Sequence, residues 1–212
     1  VRLKITEIFH SIQGEGLTAG VPTVFVRLTG CPLRCSYCDT AYAFSGGEYL
    51  AVETILRQVA AYATSHVTVT GGEPLAQVGC LALLSALCDA GHAVSLETSG
   101  ALDVTPVDPR VVRVLDLKTP SSGEGGRNLY SNLAQLRAGD QVKFVLADRA
   151  DYDWAVQTAA QYDISRRATV LFSPVHGALD GAVLAQWMLD DRLPYRLQLQ
   201  LHKLLWGEEP GR

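Results

Sequence analysis

No apolar run in this 212-residue sequence approaches the roughly 20 residues needed to cross a bilayer. Its opening segment, VRLKITEIFH, alternates polar and apolar residues and lacks the apolar core of a signal peptide. A cytoplasmic, soluble protein with no membrane partner is therefore expected. No Pro/Gly/Ser-rich linker, internal repeat or low-complexity tract divides the chain, which predicts one domain over residues 1–212. There is no basic run with interleaved aromatics and the net charge is a mild −4, so direct nucleic-acid binding is not expected. With 48% hydrophobic and 19% charged residues, the composition suits a compact globular chain rather than a disordered one.

Five cysteines in a chain expected in the cytosol argue against structural disulfides and towards metal or redox use. They divide into two kinds. Cys80 and Cys88 lie in QVGCLALLSALCDA, where Cys80, Leu84, Leu87 and Cys88 share one face at helical spacing, so they read as small core residues. Cys31, Cys35 and Cys38 crowd into eight residues of GCPLRCSYCDT, just after an apolar strand candidate.

Short β-branched runs alternate with helix-period stretches, the pattern of a parallel sheet with crossover helices. Strands are predicted at Thr23–Thr29, His66–Thr70, Ala93–Glu97, Val111–Leu117, Gln141–Leu146, Thr169–Phe172 and Tyr195–Leu199, with Leu3–Ile8 at an edge. The clearest helix follows the cysteine loop, where Val52, Ile55, Leu56, Val59, Ala60 and Ala63 form one apolar stripe. Further helices are predicted over Gln77–Ala90, Tyr152–Gln161 and Gly181–Leu189. Polar residues recur at period two near the strand ends: Arg27 with Phe25, Thr68 with Thr70, Ser95 with Glu97 and Ser99, and Asp116 with Lys118. Gln141 with Lys143, and Gln198 with Gln200 and His202, continue the series. Buried polar groups are costly unless satisfied, so a ring of them at the carboxyl ends of strands implies a bound ligand.

Soft thiolates at the density of the cysteine loop suit zinc or iron–sulfur chemistry. A structural zinc site needs a fourth ligand, and no further Cys or His lies nearby in sequence; a redox dithiol needs only two. Three thiolates on a four-iron, four-sulfur cluster leave one iron open for another ligand. The C-x-x-x-C-x-x-C spacing, with aromatic Tyr37 before the last cysteine, resembles the cluster loop of the radical S-adenosylmethionine superfamily. TVTGGEP (Thr68–Pro74), one strand–helix unit later, resembles that superfamily's second element.

Two further stretches narrow the resemblance. EIFHSIQGEG (Glu7–Gly16) and VFVRLTGCPLRCSYCDT, together with SLETSG, DLKTPSSGE, LFSPVHG and LQLHKLLW further along, are similar to the 7-carboxy-7-deazaguanine synthase family over nearly the whole chain. That resemblance implies an α/β fold of the modified, partial (incomplete) TIM-type barrel kind. It also implies a 4Fe-4S cluster, S-adenosyl-L-methionine and Mg2+ as cofactors, and an electron donor such as flavodoxin or ferredoxin. A homodimer is expected. The implied reaction converts the pterin 6-carboxy-5,6,7,8-tetrahydropterin to 7-carboxy-7-deazaguanine and ammonia, towards queuosine-type 7-deazapurines. A 5′-deoxyadenosyl radical takes hydrogen from pterin C6, and the cofactor is regenerated.

By the same resemblance, Cys31, Cys35 and Cys38 hold the cluster and Thr40 the magnesium ion. Ile12, Gln13, Gly14, Glu15, Arg27, Thr70 and His202 bind substrate. Tyr37, Asp39, Gly71, Gly72, Glu73, Glu97, Ser99, Asp116, Lys118, Ser173, Pro174, Val175 and His176 bind S-adenosylmethionine, with Gly71–Pro74 at its methionyl amino group. The residues taken alone leave alternatives open. Arg27 suits a carboxylate fork or an ordinary ion pair. Gln13–Gly16 suits a pterin edge or a bland turn. Thr40 suits hard magnesium or a cap, and Lys118 a carboxylate or solvent. Gln13, Glu15 and Arg27 are expected to lie away from GGEP and the later strand ends. Two rivals are an activase that makes a glycyl radical on a protein partner and a zinc-binding interaction module. The loop Ala41–Tyr49 reads as a lid or a connector, and the tail after Trp206, Pro210 included, is assigned no role.

Overall fold

The protein is described by a computed structural model covering residues 1–207, 209 and 211; Pro210 lies outside them. Its strands are β1 (Arg2–Ile12), β2 (Pro22–Leu28), β3 (Glu48–Ala51), β4 (His66–Gly71), β5 (Ala93–Thr98), β6 (Val112–Leu117), β7 (Gln141–Leu146), β8 (Thr169–Pro174) and β9 (Arg196–Leu197). The α-helices are α1 (Val52–Ala60), α2 (Cys80–Asp89), α3 (Arg149–Gln161), α4 (Gly181–Asp190) and α5 (Leu201–Trp206). Among the described residues, nine strands form one sheet in the order β3-β1-β2-β4-β5-β6-β7-β8-β9. β1 runs antiparallel to β2 and β3, whereas β2 and β4 to β9 are parallel neighbours. The sheet does not close, so the fold is a partial barrel. No helix among the described residues is long and apolar enough to cross a membrane.

Alternation along the strands sorts the sheet into two faces. Val24, Val26, Leu28, Val67, Val69, Leu96, Leu115, Leu117, Val142 and Phe144 join the buried apolar cluster that also takes in Ile55 and Val59 of α1 and Leu83, Leu84 and Leu87 of α2. Cys80 lies fully buried in it, and Cys88 packs half-buried against it. The intervening residues, Arg27, Thr70, Glu97, Asp116, Lys143 and Ser173, line the opposite, concave face.

Several boundaries differ from the sequence expectation. β1 runs to Ile12 and is not an edge: residues 48–51, which begin within the expected Ala41–Tyr49 loop, pair outside it as β3. The start of that loop is instead a 3₁₀ turn, Ala41–Phe44. The last strand shrinks to Arg196–Leu197, and LHKLLW coils into α5, whose Leu201 N–H donates to Gly14 O at 3.0 Å and ties the helix to the turn after β1. α1 stops at Ala60, and Ala63 sits beyond it at φ 51°.

Candidate active site

A cavity of about 470 Å³ opens at the carboxyl ends of β2, β4, β5, β6, β7 and β8, where parallel α/β sheets place ligands. Every predicted site residue lines it except Gly14 and Glu73.

The cysteine loop forms one wall. Cys31, Cys35 and Cys38 are free thiols facing the cavity. Burial pushes the Cys31 and Cys35 thiols above their ordinary value, with Lys118 pulling both down. The loop is clasped from outside: the Ser36 N–H donates to Ser122 O at 3.0 Å, the Ser36 hydroxyl to Ser121 O at 2.7 Å, and the Arg34 N–H to Glu124 Oε1 at 2.5 Å. The glycine pair after β4 lets that strand end press against the loop. A Cβ at Gly71 would stand 2.2 Å from Leu28 O, and one at Gly72 2.2 Å from Gly30 O and 2.8 Å from Cys31 Cβ. Burial pushes Tyr37 up to about 12 with Asp116 adding to it, and its hydroxyl, 3.2 Å from Thr119 Oγ1, stays a neutral phenol.

Glu73 does not line the cavity. Its side chain is fully buried behind the wall, where it accepts from Thr98 Oγ1, from both the N–H and hydroxyl of Ser99, and from the Leu75 N–H. A carboxylate with that many donors shapes the turn from the far side. Ser99 lines the cavity, but its hydroxyl is occupied by Glu73. Gly14 lies under α5, where a Cβ would meet His202 Nδ1 at 2.1 Å; the glycine allows His202 into the cavity wall.

Charge is concentrated beside the thiols, from Lys118 and Asp116, which act on Cys35, to Lys143 and Glu15. Lys143 Nζ lies 2.8 Å from Glu15 Oε2 and 3.5 Å from Asp116 Oδ2, and Lys118 Nζ lies 3.0 Å from the same Asp116 oxygen. Burial works against the Lys143 ammonium, but Glu15, Asp116 and Glu97 together hold its pKa well above the ordinary lysine value. Burial likewise opposes ionisation of Glu15 and Asp116, and the lysines overcome it, leaving both carboxyls below their usual range. Gln198 and Gln200 donate to Glu15 at 3.1 and 2.8 Å, and Gln200 also reaches Asp39 at 3.2 Å. Glu97 differs: burial, then the nearby Glu15 carboxylate, push it above its ordinary value. Burial also pushes the His202 imidazole down, against the pull of Glu15 and Asp39.

Gln13 donates to Thr68 Oγ1 at 3.1 Å and to Glu97 Oε1 at 3.4 Å, while Thr70 donates to Glu97 Oε2 at 2.8 Å. The N-terminal residues are therefore not set apart from the later strand ends, as the sequence suggested, because β1 and β2 continue the same sheet. Arg27 makes the ordinary ion pair and still faces the cavity: Nε donates to Glu7 Oε1 at 2.7 Å, and no described residue hydrogen-bonds its terminal nitrogens. Thr40 precedes the Ala41–Phe44 turn, but its side chain makes no capping bond; it points to the cavity, 3.9 Å from Cys38 Sγ. Ile12, Pro174, Val175 and His176 complete the rim. Lys143, Gln200, Lys203 and the aromatic floor of Phe9 and Phe25 went unassigned in the sequence, although Lys143 and Gln200 stand in its period-two series.

Among the described residues, no three His, Cys, Asp or Glu side chains converge closely enough for a single metal ion. Three free thiols lining one cavity are the donor set that an iron–sulfur cluster takes. In the same cavity Asp116 Oδ1 is buried without a hydrogen-bond partner among the described residues, as a side chain awaiting a polar ligand would be. A partial parallel barrel with this thiol loop and the glycine pair packed on it defines a radical S-adenosylmethionine enzyme, and residues 25–116 match the radical SAM superfamily. Its cofactors are a 4Fe-4S cluster and S-adenosylmethionine.

Two relatives, both 7-carboxy-7-deazaguanine synthases, extend the match across the chain. The protein from Chlorobaculum tepidum is 48% identical over 98% of this chain and 96% of its own. That from Koribacter versatilis is 40% identical over 98% of each. The crystal structure of QueE from Escherichia coli superposes with a TM-score of 0.80 over 95% of both chains at 24% identity, which shows the shared fold. The chain belongs to the 7-carboxy-7-deazaguanine synthase family.

Proposed function

We propose that the protein converts 6-carboxy-5,6,7,8-tetrahydropterin to 7-carboxy-7-deazaguanine and ammonia, a step towards queuosine-type 7-deazapurines. Substrate and products differ by no electrons, so the reductant serves only to start the cofactor. The observation that carries this reading is one cavity lined both by three thiols and by an arginine whose terminal nitrogens have no hydrogen-bond partner among the described residues, in a chain similar along its whole length to synthases of this name.

Cys31, Cys35 and Cys38 hold the cluster, and S-adenosylmethionine supplies the radical that abstracts hydrogen. Asp116 Oδ1 and Lys118 are placed to meet the polar groups of that cofactor, with Glu97 and the Ser173–His176 rim beside them. The backbone of Gly71 and Gly72, rather than the Glu73 side chain, supplies the contact attributed to GGEP. Arg27 forks onto the substrate carboxylate. Glu15, held by Lys143, Gln198 and Gln200, and Gln13, held by Thr68 and Glu97, present fixed polar atoms to the pterin edge. Thr40, with its hydroxyl uncommitted to a cap, is the magnesium contact. A flavodoxin or ferredoxin as donor, a homodimer and a cytoplasmic location complete the reading.

Incubation of anaerobically reconstituted protein with the carboxypterin, S-adenosylmethionine, magnesium and a reductant tests it by mass spectrometry. Formation of the deazapurine, dependent on every component, is the expected result. Cofactor cleavage without deazapurine from this pterin would remove the substrate assignment.

A further inference from the structure

We propose that Glu7 and Tyr42 are positioning residues for Arg27, fixing its guanidinium by the Nε edge so that the terminal nitrogens face the cavity. The inference rests on the carboxylate-fork role of Arg27 given above.

It starts from an irregularity in β1. Pairing with β2 runs Ile5 to Leu28 and then Glu7 to Arg27, so Thr6 is an extra residue in a β-bulge. Leu28 and Arg27 are consecutive and face opposite sides of the sheet. Ile5 and Glu7 would share a face in a regular strand, yet here Ile5 follows Leu28 into the helix-side core and Glu7 follows Arg27 to the concave side. Beyond the bulge it is Ile8 that packs on the core, while Phe9 lines the cavity and stacks on Phe25 at 5.0 Å. Bulges re-aim side chains in this way beside active sites. Without it, the Glu7 carboxylate would lie on the apolar helix side, where an unpaired charge is costly. The bulge is pinned to the cysteine loop, since Thr6 Oγ1 lies 2.8 Å from Thr29 Oγ1 and the Thr29 N–H donates to Lys4 O at 2.9 Å.

The re-aimed carboxylate has two donors on one oxygen. Glu7 Oε1 accepts from Arg27 Nε at 2.7 Å and from the Tyr42 hydroxyl at 2.8 Å. The Tyr42 hydroxyl is the donor of this pair, since an ionised carboxylate oxygen only accepts. Phe9 and Tyr42 each place a ring centroid 5.8 Å from the guanidinium carbon. A planar guanidinium bonded through Nε and bordered by two rings cannot turn about its own stem, and its end-on pair of nitrogens stays directed at the cavity. Tyr42 lies two residues beyond Thr40, so the same contact ties the segment after the cysteine loop to the substrate fork.

The test is a double-mutant cycle on the reconstituted enzyme, reading KM for the carboxypterin, kcat, iron content and uncoupled 5′-deoxyadenosine release. Glu7→Gln is expected to raise KM by about tenfold, the order expected for a hydrogen bond to a charged group, with iron content and uncoupled release unchanged. Tyr42→Phe, which keeps the ring, raises KM by a smaller factor of about three. In an Arg27→Ala background, adding Glu7→Gln changes KM by less than about twofold, because the group it positions is gone. If Arg27→Ala leaves KM untouched, the fork reading itself fails. If Arg27→Ala raises KM while Glu7→Gln and Tyr42→Phe do not, or if Glu7→Gln acts equally in both backgrounds, the positioning role is overturned and the fork survives. Should Glu7→Gln fail to fold, Tyr42→Phe in the two backgrounds decides the same question.

Discussion

The Nζ of Lys143 lies 2.8 Å from Oε2 of Glu15 and 3.5 Å from Oδ2 of Asp116, joining the N-terminal turn to the ends of β6 and β7 through one ammonium. Removing that charge as Lys143→Met strands carboxylates in a half-closed cavity. The expected cost is roughly 3 kcal/mol, the lower end for breaking a buried pair because the cavity admits water. Displaced Glu15 should lower turnover at least about tenfold, as small misplacements of positioning groups do. Urea unfolding and steady-state rates measure the two effects.

The same network sets the acid limit of the fold. Glu15, Asp39 and Asp116 are held below their ordinary values of 4.5, 3.8 and 3.8, so between those values and the folded ones the unfolded chain binds more protons. Their contribution is fully present above about pH 4.5 and is lost as pH falls through the depressed folded values. The unfolding midpoint should therefore fall steeply on the acid side in the unsubstituted protein. In Lys143→Met the slope should be shallower, because Glu15 loses its main counter-charge while Lys118 still holds Asp116 and Gln200 and Lys203 still hold Asp39. Thermal melts at a series of acidic pH values check the difference.

The concave face was legible because strand alternation is local: Arg27, Thr70, Glu97, Asp116 and Lys118 stand at period two in the sequence and in the cavity. The orientation of the Glu73 side chain was not legible, because a turn reverses direction without leaving a periodic mark, and its partners Thr98 and Ser99 come from the next strand unit. Likewise, nothing local marks residues 48–51 as a strand, since β3 is stabilised by pairing with β1. The bulge at Thr6 was hidden for the same reason, register being a property of two strands. Lys143 stood in the series but could not be ranked, because its importance comes from Glu15, distant in sequence.

The proposed magnesium contact of Thr40 can be tested apart from the cluster. Its side chain makes no cap, so Thr40→Ala should leave helicity and iron content unchanged while raising the magnesium concentration needed for half-maximal rate. Equal magnesium dependence in both proteins would remove Thr40 as the contact.

The glycine at position 14 sets how closely α5 approaches. In Gly14→Ala the new Cβ meets His202 Nδ1 at 2.1 Å and the His202 backbone nitrogen at 3.0 Å, so the helix must shift. A loss of about 1–3 kcal/mol is expected from such overpacking, together with weaker pterin use. The cysteine loop is held by Ser121, Ser122 and Glu124 rather than by His202, so the iron content should match that of the unsubstituted protein.

The cysteines provide the most direct test of the central claim, a three-thiolate cluster that initiates the reaction. Iron content and 5′-deoxyadenosine release should be measured together for Cys31→Ala, Cys35→Ala, Cys38→Ala and Cys80→Ala after anaerobic reconstitution. The first three should lose cofactor cleavage altogether. Cys80→Ala, which removes a buried thiol from the α2 core, should keep the cluster and cost only about 1–2 kcal/mol of stability. Cofactor cleavage surviving in Cys35→Ala, or a cluster lost from Cys80→Ala while the protein remains folded, would contradict the account.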